Sequence, residues 1–466
     1  SDLQRLFHLR LQAQPAQAFS GYLVVDLGTT ATCACLVSAS KATERVLVHG
    51  AKELPSVTCY LKLIQERKWE VGQRALQRSL EPAAQRSVIA QAKRRIGSDH
   101  EFEVVPLDEP AETASLSAGA ALSHLYREVL DQALAHRLSQ GSSEVLIERM
   151  LITHPSRFSL RQVEQIKEAA TRALRDHWKH WTGRERNDLP PPVTLHEPTG
   201  AAFHFLRDWR NLAQVHARLG QDELTWHLLV YDLGGGTLDV TLLRLESLQQ
   251  ACEGEGFAYQ VAPSVVGATG ERWFGGQDVT VLLQKLVSAQ LDQALPQGNW
   301  PDPQAGGPQR VAWQRNQNLL GQWCEQFKLD LVGGRKAEES WQSFPGLACW
   351  DQGRERLITS SHWRQVVKLP TLEQLEEAVQ PLLQDSLERI RQMLQRHQVL
   401  VPEVVLRVGK ASQLPCIGRA LEENFGQSLL VAPDQLKGCV VEGACVPPLP
   451  GLPSGIQLSR GLRRPG

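Results

Sequence analysis

An excess of charge of either sign is missing from this sequence: 50 basic residues stand against 51 acidic ones, for a formal net charge of -1. A balance that close creates no general field to attract nucleic acid or an anionic membrane, so any anion must be held by a local site. Also missing are an apolar run long enough to cross a bilayer and a secretory signal at the start of the chain. A cytoplasmic protein is therefore expected, with neither nucleic acid nor membrane among its partners. The nine cysteines, at positions 33, 35, 59, 252, 324, 349, 416, 439 and 445, lack any CxxC pair or Cys/His cluster at zinc spacing. They read as buried, reduced thiols, with Cys33 and Cys35 on one face of a strand.

What is present is a globular composition, 42% hydrophobic and 22% charged, over 466 residues. That length is too great for one ordinary core, so two or more packed lobes are expected. The first strong strand is residues 22–26, followed at once by Leu27, Gly28, Thr29 and Thr30 and then by an apolar run at 33–37. This order predicts a hairpin with a polar, glycine-bearing turn. The pattern recurs as an apolar strand at 227–231, the turn DLGGGT at 232–237 and a return strand at 238–245. Two such units argue for a duplicated fold whose related halves face one another.

Elsewhere the chain alternates. A strand is predicted at 145–153, helices at 160–175, 279–295, 316–332, 373–396 and 417–425, and a strand at 404–408. Alternation of this kind indicates α/β lobes. Residues 183–192 and 296–308 read as loops. Residues 1–20 read as an extension with a short amphipathic helix, and residues 447–466, rich in Pro, Gly and Arg, as a tail or linker.

The two turns carry the chemistry a polyphosphate needs. Glycine lets successive backbone N–H groups approach one cluster of oxygens, and threonine hydroxyls add donors. An aspartate at the end of the preceding strand can hold Mg²⁺ through water. Asp26, Gly28, Thr29 and Thr30 supply this set in one turn, and Asp232, Gly234, Gly235, Gly236 and Thr237 in the other. Two such turns from facing lobes can clamp the phosphates with the metal between them.

VVDLGTTATCACLV and VYDLGGGTLDVTLL resemble the two phosphate motifs of the actin, hexokinase and heat-shock ATPase superfamily. Further stretches resemble the 70-kDa heat-shock (DnaK-like) family: ELPSV and VGQR its early strands, AKRRIG its lysine-bearing segment, LITHPSRF its "ITVPAYF", LHEPTGAA its "NEPTAAA" and FGGQD, with Gly275, its "LGGEDFD". The match runs in order from about residue 21 to about residue 446. It implies an actin-like ATPase fold of two related lobes, each a mixed β-sheet flanked by helices, with the nucleotide in the central cleft. Lobe I would span residues 21–212 and lobe II 213–430, with 431–446 returning to lobe I.

The resemblance also implies roles. Lys93 matches the lysine that holds the attacking water and γ-phosphate, Glu197 the acid that orders Mg²⁺-bound water, and Asp26 and Asp232 the metal-side aspartates. Thr29 and Thr237 match the γ-phosphate-contacting threonines, and Asp239 the acid near the water and a monovalent (K⁺) site. In-line attack on a γ-phosphoryl group needs positioned water and positive charge more than covalent chemistry.

The adenosine side departs from the family pattern. Glu325 and Lys328 are kept and can reach ribose, but Leu329 stands where the family has its first stacking arginine. The turn VGKASQLP keeps Gly409, has Lys410 in place of the second glycine, and has Gln413 where the second arginine belongs. Each such contact is worth roughly 0.5–2 kcal/mol, so weaker or less adenine-selective binding is expected. After residue 446 the family continues into a peptide-gripping domain, for which this chain has about twenty residues. It is therefore expected to be a free-standing module or part of a longer protein, and Ser1 in place of Met suggests a processed or engineered start. The leading reading is a slow ATPase that couples lobe closure to a J-domain protein or nucleotide-exchange factor. A pseudo-ATPase scaffold and a small-molecule kinase on the same fold are the alternatives.

Overall fold

The tips that carry the two motifs are set by two six-stranded sheets of matching design. The computed structural model describes residues 16–446 and 456–461, apart from residues 41, 49, 64–67, 80, 221–222, 253–255, 295–299, 303, 305, 334–345, 352–355, 361–366, 427, 431–435 and 437. In the first sheet, Tyr22–Leu27 is central. It pairs antiparallel with Ala31–Val37, which pairs antiparallel with Thr43–Arg45. On its other side Met150–His154 and then Val193–His196 add in parallel.

The second sheet repeats that plan. Glu223–Leu233 pairs antiparallel with Leu238–Cys252, and this with Gly256–Glu271. Val404–Val408 and then Ser428–Leu430 add in parallel on the other side. Order and sense agree for five of the six strands in each sheet, so the duplication read from the turns extends to the sheets that hold them. The likeness lies in hydrogen-bond topology, and the sequences need share only a pattern of apolar strands and polar turns.

Both central strands are buried on both faces, which is why they read as continuous apolar runs without polar alternation. Leu23, Val25 and Leu27 face the helices Ala118–Ser139 and Leu160–Thr182, while Tyr22 and Val24 face the other way with Val441 and Ala444. In the second sheet Leu229, Tyr231 and Leu233 face the helices Gly276–Ala294, Gly307–Val332, Leu372–Arg396 and Pro415–Phe425. Leu228 and Val230 pack on Ala201, Phe205 and Val440. The helices Glu197–Leu206 and Cys439–Ala444 thus touch both sheets, and they cross where Gly200 and Gly443 bring their backbones together.

Several boundaries differ from the sequence expectation. The apolar run at 145–153 is two strands: Glu144–Leu146 pairs with Gln17–Ala18 in a small separate sheet, and Met150–His154 enters the first sheet. One run feeds two sheets, which periodicity alone does not show. Of the N-terminal extension, residues 1–15 lie outside the described residues, and Gln17–Ala18 is a strand, not helix. Of the tail, Ile456–Gly461 forms an edge strand antiparallel to residues 256–261, where a linker was expected. The strand Gly256–Glu271 and the helix Ala118–Ser139 were not anticipated. Among the described residues, eight cysteines are free thiols and seven of these are buried, as expected, and no helix is long and apolar enough to cross a membrane.

Candidate functional site

Both turns close with the same bond. Gly28 N–H donates to the carbonyl of Ala31 at 3.1 Å, and Gly234 N–H to the carbonyl of Thr237 at 3.0 Å. The first is braced by Ser56, whose hydroxyl donates to Gly28 O at 2.8 Å and whose N–H donates to Thr30 O at 2.9 Å. The second is braced by the start of the next helix, where Gly276 and Gln277 N–H donate to Gly234 O and Gly235 O at 2.9 and 2.7 Å. The tips meet reciprocally: Gly235 lies against Thr30, and Gly236 against Thr29. A Cβ on Gly235 would sit 2.9 Å from Thr30 Cβ, and one on Gly236 would sit 2.8 Å from Thr29 Cβ and 2.9 Å from Arg94 Nε. Only glycine allows this approach.

Acids and bases surround the tips. Asp26, at the end of its strand, accepts from Thr153 Oγ1 at 2.7 Å and is almost fully buried. Lys93, in the 3₁₀ turn Ala92–Arg95, donates to Glu197 Oε1 at 2.5 Å, and both are buried. Asp239 is buried on the return strand; it accepts from Arg157 Nε at 3.2 Å and from Thr237 Oγ1 at 3.3 Å. Arg94 reaches across to the Gly236 carbonyl and to Asp278 Oδ2, the latter at 2.6 Å, with its guanidinium 5.0 Å from the Trp273 ring. A cavity of about 180 Å³ opens beside the tips, lined by Thr29, Lys93, Arg94, Arg157, Thr237 and Arg272 among others.

Burial pushes the Glu197 carboxyl up to about 8; Lys93 opposes the shift, and the charges of Asp26 and Asp239 reinforce it. Burial likewise raises Asp239 against the pull of Arg157 and Lys93. Burial thus outweighs the neighbouring cations at two acids, Glu197 and Asp239. That donor set fits a hydrated divalent cation. Among the described residues no three His, Cys, Asp or Glu side chains converge to ligate a metal directly. Asp26, Asp232 and Glu197 are the oxygen donors that would hold Mg²⁺ through water.

The adenosine-side residues form a second group. Lys328 Nζ donates to Gly276 O at 2.8 Å, to Thr280 Oγ1 at 2.9 Å and to Glu325 Oε2 at 2.7 Å, so Glu325 and Lys328 are paired with each other. Gly275 packs on Gly236, which joins this group to the second turn. Gly409 has φ of +81° and passes so close to Asp232 that a Cβ would lie 2.6 Å from its Oδ1. Lys410 and Gln413 have partners of their own: Lys410 Nζ pairs with Glu53 Oε2 at 2.9 Å, and Gln413 Nε2 donates to Lys410 O at 3.2 Å. Leu329 is 44% exposed.

The structure thus gathers Asp26, Gly28, Thr29, Thr30, Lys93, Glu197, Gly234, Gly235, Gly236, Thr237 and Asp239 at the tips. It places Asp232, Gly275, Glu325, Lys328 and Gly409 beside the second turn, while Lys410 is bonded to Glu53 and Gln413 to its own turn. Sequence reasoning missed Ser56, Thr153, Arg94, Arg157 and Arg272. Ser56, Arg94, Thr153 and Arg157 stand inside quoted motifs, but nothing local says which distant groups their side chains meet.

The chain is similar to the chaperone protein HscA homolog of Bordetella petrii, at 28% identity over 433 residues. The similarity covers 88% of this chain and 56% of that relative, so the chain spans a little over half the relative's length. No family model matches the chain.

Proposed function

We propose that this chain, by its similarity to the chaperone HscA homolog, is an ATP-binding, slowly hydrolysing module of the 70-kDa heat-shock type and of actin-like fold. Its two sheets would form two lobes with the nucleotide in the cleft between their turns. The observation that carries this reading is the reciprocal meeting of the two acid-led glycine turns beside the buried Lys93–Glu197 pair. Mg²⁺, when bound, would offset the phosphate charge and polarise the transferring group. The chain's own residues do the rest. Turn N–H groups and the hydroxyls of Thr29 and Thr237 bind phosphate oxygens, and Lys93 positions the attacking water. Glu197 and Asp239 hold hydration in place.

The cavity beside the tips is about 180 Å³, below the roughly 300 Å³ at which ligand pockets begin. A whole nucleotide would therefore extend beyond this cavity, and closure of the lobes on it would tie binding to lobe movement. The helices Glu197–Leu206 and Cys439–Ala444, which touch both sheets, would carry that movement to a partner such as a J-domain protein or nucleotide-exchange factor. The experiment is Mg²⁺-dependent phosphate release from ATP by the protein and by Lys93→Ala, with and without a J-domain protein. Release that needs Lys93 supports the ATPase. Equal release from both, or ADP formed only with an added acceptor, rejects it.

A second reading, a scaffold that binds nucleotide without turnover, is favoured by the adenosine side. There Lys410 is engaged by Glu53, and Leu329 and Gln413 leave no guanidinium to stack on a base. Binding without phosphate release would select it.

A further inference from the structure

We propose that Arg157 is an arginine finger supplied by the chain itself, placing its guanidinium on the γ-phosphoryl group during hydrolysis; this rests on the ATPase reading above. Arg157 lies in the turn that follows Met150–His154, closed by Phe158 N–H donating to Pro155 O at 3.1 Å. The segment resembles "ITVPAYF", and arginine stands here where that stretch has tyrosine. Ser156 Oγ meets Thr241 Oγ1 at 2.7 Å, so the turn is pinned across to the second sheet at this point.

The cations lining the cavity are engaged to different degrees. Lys93 is committed to Glu197. The Arg94 terminus is committed to Asp278 and the Gly236 carbonyl. Among the described residues Arg157 is bonded at Nε, to Asp239, while its side chain lines the same cavity as Thr29 and Thr237; Arg272 also lines it, but is bonded there to no carboxylate that would orient it. A guanidinium presents five donors in a rigid fork. With Nε fixed by a buried carboxylate, the two terminal nitrogens are oriented in advance, so little reorganisation opposes their use.

In hydrolysis, water oxygen bonds to the γ-phosphorus as the bond to the β–γ bridging oxygen breaks. ADP and inorganic phosphate form, and one proton leaves to solvent. Negative charge shifts toward the bridging oxygen while the guanidinium stays protonated throughout. A donor aimed at such charge is worth about 10²–10³-fold in rate, and arginine fingers reach about 10³–10⁵-fold.

The test measures ATP affinity by calorimetry and single-turnover phosphate release for the protein, Arg157→Ala and Arg157→Lys, with thermal unfolding alongside. The finger predicts affinity within about threefold and a rate lowered on the order of 100-fold in both variants. Low millimolar guanidinium should partly restore Arg157→Ala, and tight ADP–aluminium fluoride binding should be lost in both. An unchanged or raised rate in Arg157→Ala overturns the proposal. So does a rate loss matched by lost affinity or lost folding without guanidinium rescue, because that marks a structural arginine. If the unaltered protein binds ATP but releases no phosphate, the finger fails and binding stands. If it does not bind ATP, the ATPase reading itself fails.

Discussion

Replacing Gly236 with alanine puts a methyl group where the two turns touch. The new Cβ would lie 2.8 Å from Thr29 Cβ and 2.9 Å from Arg94 Nε, against 3.4 Å for an ordinary contact. Rotating Thr29 about χ1 moves its methyl and hydroxyl but not its Cβ, so about 0.6 Å of separation must come from the backbone. Overpacking of this kind costs about 1–3 kcal/mol where a core must absorb it. Here the contact joins turns from different sheets, so parting the tips relieves it more cheaply than distorting either hairpin. The expected result is a small change in melting temperature and a large change in function. Displacing reacting groups by about 1 Å costs up to about 100-fold, so phosphate release should fall by about 10–100-fold. Adding Thr29→Gly removes the clashing Cβ, and a double-mutant cycle on stability should show a favourable coupling of about 0.5–3 kcal/mol. Wild-type release and stability for Gly236→Ala would refute the claim that the tips meet at these residues.

Three further outcomes follow from the same geometry. With Glu197 titrating near 8 in the folded chain and near its ordinary value unfolded, the folded state holds an extra proton between the two values. Stability should therefore fall as pH rises through that window, by up to about 1.4 kcal/mol per unit, and Glu197→Gln should flatten the slope; denaturant unfolding without metal measures both. Asp131 accepts from the fully buried His177 at 2.8 Å and from Trp181 Nε1 at 2.7 Å, and it pairs with Arg127 at 3.1 Å. Asp131→Ala strands these donors between two long helices and should cost about 3–5 kcal/mol, seen as a lowered unfolding midpoint with an unchanged m-value. Lacking stacking arginines at Leu329 and Gln413, the chain should bind ATP and GTP with affinities within about tenfold, by competition titration; a far larger preference for ATP would show that another side chain reads the base.

The paired turns were legible in the chain because they are local. A strand ending in Asp, then Gly and Thr, then a return strand fixes a hairpin wherever it occurs, and Asp26 and Asp232 mark both. The long helices were legible through apolar spacing, as at Leu375, Val379, Leu383 and Ile390, which line one buried face of Leu372–Arg396. The sheet partners of those turns were not legible. Whether 145–153 makes one strand or two depends on Gln17 and Leu23, far away in sequence. The same holds for charge. Lys93 stands in a run of three cations and takes its role from the resemblance alone until Glu197 is brought to 2.5 Å, and nothing local pairs Arg157 with Asp239. Lys410 matched a position on the nucleotide side, and its partner Glu53 lies far away in sequence. Local dihedral preference and apolar periodicity act within a few residues, so the sequence alone determines hairpins and helices. Which buried acid meets which base depends on how two sheets dock, and only the tertiary structure decides that.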